Sequence, residues 1–336
     1  MNKPLLNIVI PVYNRLHVTQ KTLLHLKKVK CMTNSVPFVI TVVDNGSDEE
    51  LRKKLIFFAD EGIIDNLFIL QKNMGISCAC NIGWRAVDTD FFMKMDNDVV
   101  IHNTNFIEDI FKMYDLVEPF SNLGPAYLQS MIEESPSIRE TPFGKMALCT
   151  KTLPGGALLI PKVIYNILGG FNEEYGLYGG DDGDYGVRMN FVGFKQYYYT
   201  YQKYFTMEST WGNSDYEGYD LDKSAEHRQL FQTKDGRIGL FNLNCYLYEY
   251  CIRSCKVPLR YEISDKNGYY TIVRERDDYK NIRAALERST QIVDHSMRRS
   301  RKFGLFFSEK LIIKLKKIWE ECGQEWNMSI TQTNSK

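Results

Sequence analysis

About the first hundred residues of the chain repeat one pattern, an apolar run of strand length, a polar break, then a stretch with helical periodicity, and few folds satisfy it. The strand-like runs are residues 6–12 (LNIVIPV), 38–43 (FVITVV), 67–70 (LFIL) and 91–95 (FFMKM), and the helix-like stretches between them are 19–28, 48–59 and 75–87. Each run is apolar at successive positions, so both of its faces must be covered, as in a buried parallel strand. Strands alternating with helices predict an α/β fold with a doubly wound, mainly parallel sheet flanked by helices. Ligands of such a sheet bind beyond the C-terminal ends of its strands, so functional residues should follow each run.

The pattern loosens after Asp98. Residues 118–151 mix Pro, Ser and Gly with little period and read as a connecting, partly mobile stretch. Order returns with a strand at 155–160 and a helix at 161–168, whose first position is Pro161, where the missing N–H costs little. Beyond Trp211, acidic and aromatic loops precede helical stretches at 237–255 and 279–301 and a basic amphipathic segment at 311–319. A mainly helical C-terminal extension is therefore expected.

With 336 residues, 44% of them hydrophobic, the chain can bury a large core. Its 42 Lys and Arg balance 42 Asp and Glu, so no global charge draws it to nucleic acid. The apolar run ending at Val12 is too short for a secretory leader, and no stretch is long enough to cross a bilayer. Five of the eight cysteines (Cys78, Cys80, Cys149, Cys245 and Cys251) lie in hydrophobic or helical contexts, which suits reduced thiols and a cytoplasmic location.

FFMKMDNDVV sets Asp96 and Asp98 two residues apart at the end of a buried strand, so both side chains project to one side. Hard divalent cations such as Mn²⁺ or Mg²⁺ take oxygen ligands, often few from protein and the rest from phosphate and water. An acidic turn capping the next helix explains the pair as well.

The runs IVIPVYNR, VVDNGSDEE, NMGISCACNIGWRAV and MDNDV follow one another in the order and spacing of family 2 glycosyltransferases with the GT-A fold, and GGFNEEYGLYGGDDGDYGVRM resembles that family's acidic acceptor-side motif. The resemblance extends over about residues 5–199. It implies a GT-A nucleotide-sugar-binding and catalytic domain at 1–210, followed by an acceptor-side or helical extension at 211–336. The implied activity is inverting transfer of a sugar from a nucleotide-diphosphate donor, a UDP-sugar foremost, to a hydroxyl of a glycan, lipid-linked or other acceptor.

The resemblance also distributes roles. Pro11, Val12 and Tyr13 would lie along the nucleoside, and Asp44 would accept from base or ribose, where a doubly wound sheet holds a nucleotide. Asn73, Gly75 and Asn81 match the motif facing the donor, and Asp96 adds to that set; many relatives carry Arg where this chain has Cys80. Asp98 and Asp96 would hold Mn²⁺ or Mg²⁺, with Glu208 at the place of a further ligand. Of the Asp181-Asp182 pair, Asp182 matches the general base and Asp181 would bind acceptor hydroxyls. Asp184 and Arg188 stand at ion-pair spacing on a helix, and Tyr175, Tyr178 and Trp211 are candidates to stack on sugar rings.

Two other classes compete. A sugar-1-phosphate nucleotidyltransferase normally needs a Gly-rich basic loop after the first strand, where this chain has Pro11-Val12-Tyr13-Asn14. A non-catalytic nucleotide-sugar-binding or scaffolding protein would have no use for the base, and Asp182 is present. The basic amphipathic C-terminal segment offers peripheral contact with the inner face of a membrane, or else packing on its own domain.

Overall fold

Residues Leu6, Ile8, Ile10 and Val12 of the first strand join one buried cluster and Val9, between them, joins another. Period-2 alternation thus feeds two cores from one strand, as expected of a sheet covered on both faces. The computed structural model describes residues 5–33, 35–208, 234–299 and 308–323.

The N-terminal part runs β1 (Leu6–Val12), α1 (Leu16–Met32), β2 (Phe38–Asp44), α2 (Glu49–Asp60), β3 (Asn66–Leu70), α3 (Ile76–Ala86) and β4 (Phe91–Met95). Asp48 starts α2 by accepting from the Leu51 N–H at 2.9 Å, with Glu49 and Glu50 in the first turn where the helix dipole favours acids. Then come β5 (Val99–Ile101), α4 (Phe106–Tyr114), β6 (Ser121–Pro125), α5 (Gln129–Glu133), β7 (Ile138–Thr141), β8 (Gly144–Leu148), β9 (Ala157–Pro161) and α6 (Lys162–Leu168). The chain continues through α7 (Asp181–Val192), β10 (Lys195–Tyr199), β11 (Phe205–Met207), α8 (Lys234–Glu249), β12 (Tyr261–Asn267), β13 (Tyr270–Glu275), α9 (Tyr279–Arg299) and α10 (Glu309–Glu321).

Among the described residues eleven strands form one sheet in the order β12-β13-β3-β2-β1-β4-β9-β6-β10-β8-β7, and β11 and β5 form a small second sheet. β12, β9 and β8 run against the other strands, so the sheet is mixed but mainly parallel, as the alternating pattern predicts. The strand order reverses beside β1, between β2 and β4, which opens a crevice beyond the strand ends.

Two stretches differ from expectation. Residues 118–151 are not a loose connection but supply β6, α5, β7 and β8. β6 buries Ser121 and Asn122, and Gly124 is required because a Cβ there would come within 2.9 Å of the Leu153 side chain. A strand of that composition carries no hydrophobic period. The hairpin β12–β13 was also unforeseen; it turns at Gly268, at φ 59°, and pairs Tyr270 and Thr271 with Ile69 and Leu70 of β3.

The C-terminal helices build their own core from Leu240, Leu243, Leu247, Ile282, Leu286, Leu315 and Trp319, into which Tyr175 inserts. The apolar face of α10 is thereby engaged: Leu315, Ile318 and Trp319 are buried, and the Trp319 ring N–H donates to Ser289 Oγ at 3.1 Å. This is the packing alternative for the basic segment, and it withdraws those residues from any lipid surface. Among the described residues no helix is long and apolar enough to cross a membrane.

Candidate active site

A cleft of about 760 Å³ opens beyond the ends of β1 and β4, bounded on the far side by the start of α7. Pro11, Val12, Tyr13, Asn73, Asp96, Asp98, Tyr178, Asp181 and Asp182 all line it. Residues from four separate sequence motifs therefore meet in one space.

On one side the chain leaves β1 through Asn14 and Arg15, both in the left-handed region at φ 54° and 64°. Non-glycine residues are held there at a cost. Here the Asn14 N–H donates to Ser47 Oγ at 2.8 Å and Asn14 Oδ1 accepts from the Asp48 N–H at 3.0 Å. The bend delivers the Arg15 guanidinium to Asp98, 3.4 Å from Oδ2. Asn45 and Asn73 interlock beside it: Asn45 donates to Asn73 Oδ1 at 2.8 Å, while the Met74 and Gly75 N–H groups hold Asn45 Oδ1 and Asn73 Oδ1 at 2.8 and 2.9 Å. Both amide oxygens are thereby fixed.

Asp44 lies beneath this floor, fully buried, with Oδ1 accepting from the Ser47 N–H at 3.0 Å. Its Oδ2 is buried without a hydrogen bond, and the Arg52 Nε stands 3.7 Å away. Burial raises its pKa despite Ser47 and Arg52. Gly75, at φ 94°, lets the chain at Gly176 approach so closely that a Cβ would meet the Gly176 carbonyl oxygen at 2.1 Å. Asn81 does not reach the cleft. Its amide donates inward to the Phe171 carbonyl and to Glu173 Oε1, at 2.8 and 2.7 Å, and accepts from the Phe171 N–H at 2.9 Å, so its groups are spent tying α3 to the segment before α7.

The turn from β4 to β5 carries the acidic pair. Asn97, between the acids, is pulled the other way, donating to Thr19 Oγ1 at 2.8 Å and accepting at its carbonyl from Thr22 Oγ1 at 2.9 Å. Asp96 meets Lys94 Nζ at 2.9 Å, and Asp98 is nearly buried. Glu208 lies beside Asp98 along the backbone, its N–H donating to the Asp98 carbonyl at 3.0 Å, but its carboxylate is engaged by Lys21 at 2.8 Å. Among the described residues no three His, Cys, Asp or Glu side chains come together as a metal cage. Two hard oxygen donors in a cleft fit a cation that arrives with phosphate and water ligands, not one caged by protein.

Across the cleft, Gly179 and Gly180, at φ 84° and 85°, turn the chain into α7. Asp182 is oriented by two backbone donors, Gly155 N–H to Oδ2 at 3.1 Å and Gly183 N–H to Oδ1 at 2.8 Å. Asp181 is buried. Desolvation first, then the neighbouring charge of Asp182, push its pKa up to about 7, against the opposing pull of Lys94. The expected ion pair of Asp184 and Arg188 is present, at 2.6 Å and shut off from solvent. Tyr175 is core, not platform, donating to Asp184 Oδ1 at 2.9 Å. Trp211 lies outside the described residues.

The sequence reading passed over Lys94, Arg15, Asn45, Tyr127 and Tyr201, all of which line the cleft. Lys94 had a signal, since a lone lysine inside an apolar strand is an anomaly. Arg15 had none, because its left-handed backbone has no sequence signature outside Gly and Asn.

Residues 7–118 match the model of glycosyl transferase family 2. Chondroitin synthase of Pasteurella multocida (strain Pm70) is 28% identical over 224 residues, covering 55% of this chain and 23% of the relative. Chondroitin synthase of Escherichia coli is 25% identical over 224 residues, covering 55% and 32%. The chain thus spans about a quarter to a third of the length of these curated relatives. In fold it is similar to a mannosyltransferase from Pyrobaculum calidifontis solved with GDP-Man and Mn²⁺, at a TM-score of 0.50 and 12% identity over 96% of this chain and 86% of that one. The chain is therefore similar to glycosyl transferase family 2 over residues 7–118, and its mixed, mainly parallel sheet is of the GT-A type.

Proposed function

We propose that the chain is an inverting, metal-dependent glycosyltransferase that takes a UDP-sugar and passes the sugar to a hydroxyl of a glycan, free or lipid-linked. The observation that carries this reading is the convergence, in one cleft, of the β1 loop, the Asp96/Asp98 pair and the Asp182 carboxylate. Two relatives named as chondroitin synthases favour a glycan acceptor.

Pro11, Val12 and Tyr13 flank the nucleoside, and the Asn73 amide, its oxygen already occupied, offers N–H donors to it. Asp44 supports that floor from beneath, with Gly75 allowing the close approach of the acceptor-side loop. Asp98 and Asp96 would hold Mn²⁺ or Mg²⁺, and Glu208 would join them only on leaving Lys21. The bound ion supplies charge stabilisation to the departing nucleoside diphosphate. Asp182, oriented by Gly155 and Gly183, takes the proton from the acceptor hydroxyl. Asp181 binds acceptor hydroxyls and Tyr178 flanks the sugar.

The test is donor hydrolysis by the purified chain across UDP-, GDP- and dTDP-sugars with Mn²⁺, Mg²⁺ or chelator, followed by the anomeric configuration of a transfer product. Turnover of UDP-sugars only with metal, and an inverted product, are expected. A folded chain that binds UDP yet turns over no donor would be a binding protein, and the reading would be wrong.

A further inference from the structure

β4 buries Met93 and Met95 in one core and turns Phe92 and Lys94 to the opposite face. Lys94 is 4% exposed, lies in register between Val9 of β1 and Leu158 of β9, and ends in the cleft. A lysine so placed is costly unless its charge is matched. Its ammonium meets Asp96 Oδ1 at 2.9 Å. On its other side stands Gly155, where a Cβ would come within 2.6 Å of Nζ, so glycine leaves the space the ammonium occupies. The same Gly155 donates its N–H to Asp182 Oδ2 at 3.1 Å. One ammonium therefore lies between the donor-side acid and the backbone that orients the acceptor-side acid.

We infer that Lys94 is a positioning residue of the transfer, the shared counter-ion that lets Asp96, Asp181 and Asp182 face one cleft and still admit a polyanionic donor. Without it the carboxylates of Asp96 and Asp182, with Asp181 beside them, would confront a diphosphate unopposed, and like charges repel. The ammonium also fixes the Asp96 carboxylate in place and packs against Gly155, keeping the Gly155 N–H on Asp182. It acts through these groups and takes no part in bond making. The inference rests on the reading of the cleft as a donor and acceptor site.

The test compares wild type with Lys94→Met, which keeps the stem, and Lys94→Ala, which opens room for a small amine. Thermal melts establish folding, UDP binding is read from the melt shift with and without Mn²⁺, and kcat and KM are measured with the donor that wild type uses. Lys94→Met should bind UDP more weakly in both conditions and lose about 100-fold or more in kcat. Lys94→Ala should regain activity with added propylammonium and not with propanol. Lys94→Met within about threefold of wild type in kcat and KM overturns the inference, and so does equal rescue by propanol, which would make Lys94 a filler. A wild type that binds UDP but transfers nothing would sink the functional reading, while UDP binding by Lys94→Met would still decide the role of Lys94. If Lys94→Met fails to fold, Lys94→Gln, neutral but able to donate to Asp96, takes the same readings.

Discussion

Arg188 donates from Nε to Asp184 Oδ2 at 2.6 Å, and neither side chain reaches solvent. Its other nitrogens hold the Leu168 and Gly170 carbonyls at 2.7 and 2.9 Å, while Asp184 Oδ1 accepts from Tyr175 and Tyr248 at 2.9 and 3.0 Å. One turn of α7 thus joins the α6 end, the segment before α7 and helix α8. Breaking a buried pair by removing one partner costs about 3–5 kcal/mol, because the other charge stays buried. Arg188→Met should lower the unfolding free energy by that amount in urea titrations. An unchanged midpoint would mean that Asp184 is satisfied by its tyrosines alone.

Asp182→Asn keeps the shape of the side chain and an oxygen for one of its two backbone donors. Donor binding should stay near wild type, while transfer falls by about 10²–10⁴-fold, the range expected for a lost general base. The check is paired UDP-sugar titration and single-turnover kinetics. Weak donor binding with normal turnover of what is bound would move Asp182 to the nucleotide.

The parts that sequence made legible are those whose burial is written in apolar side chains. β1 and β4 have the bounds predicted for them, because a strand covered on both faces must be apolar throughout. β6 stayed hidden because it buries the polar Ser121 and Asn122 and the small Gly124, so no hydrophobic period marks it. The hairpin β12–β13 offered Asn267-Gly268 as a turn signal, though Asn267 pairs with Tyr270 and the turn is Gly268-Tyr269, and exposed Asp265 and Lys266 blurred the alternation before it. In the cleft the acids could be named one by one, whereas Asn81 could not be placed: a motif says which residue stands after a strand, not whether its amide turns outward. Lys94 and Arg15 are partners of those acids, and pairing across 83 residues, as for Arg15 and Asp98, is a property of the fold alone.

Asp98→Asn removes one charge from the acidic pair and leaves Arg15, 12% exposed, facing a neutral amide. If the pair holds the metal against the diphosphate, Mn²⁺ should no longer strengthen UDP binding, and metal-dependent donor turnover should vanish with the melting temperature nearly unchanged. Calorimetric titration of Mn²⁺ in the presence of UDP reads this directly. Full activity in the variant would remove the metal from Asp98.

Asp181 has its pKa raised to about 7 by burial and then by Asp182, with Lys94 opposing. The unfolded carboxyl ionises near its ordinary value, 3.8, so between there and about 7 the native state keeps a proton that the unfolded chain has lost. Stability from this group is therefore complete below the lower value and is lost as pH rises through about 7. Asp44 and Glu173, also raised, act in the same direction, and Glu174, lowered, acts against them. The comparison that isolates Asp181 is wild type against Asp181→Asn, in which those other groups are common to both. From pH 4.5 to 7 the wild-type unfolding free energy should fall relative to the variant's, with a slope no steeper than about 1.4 kcal/mol per pH unit for one proton. Parallel curves would mean that Asp181 is already ionised in the native state across this range.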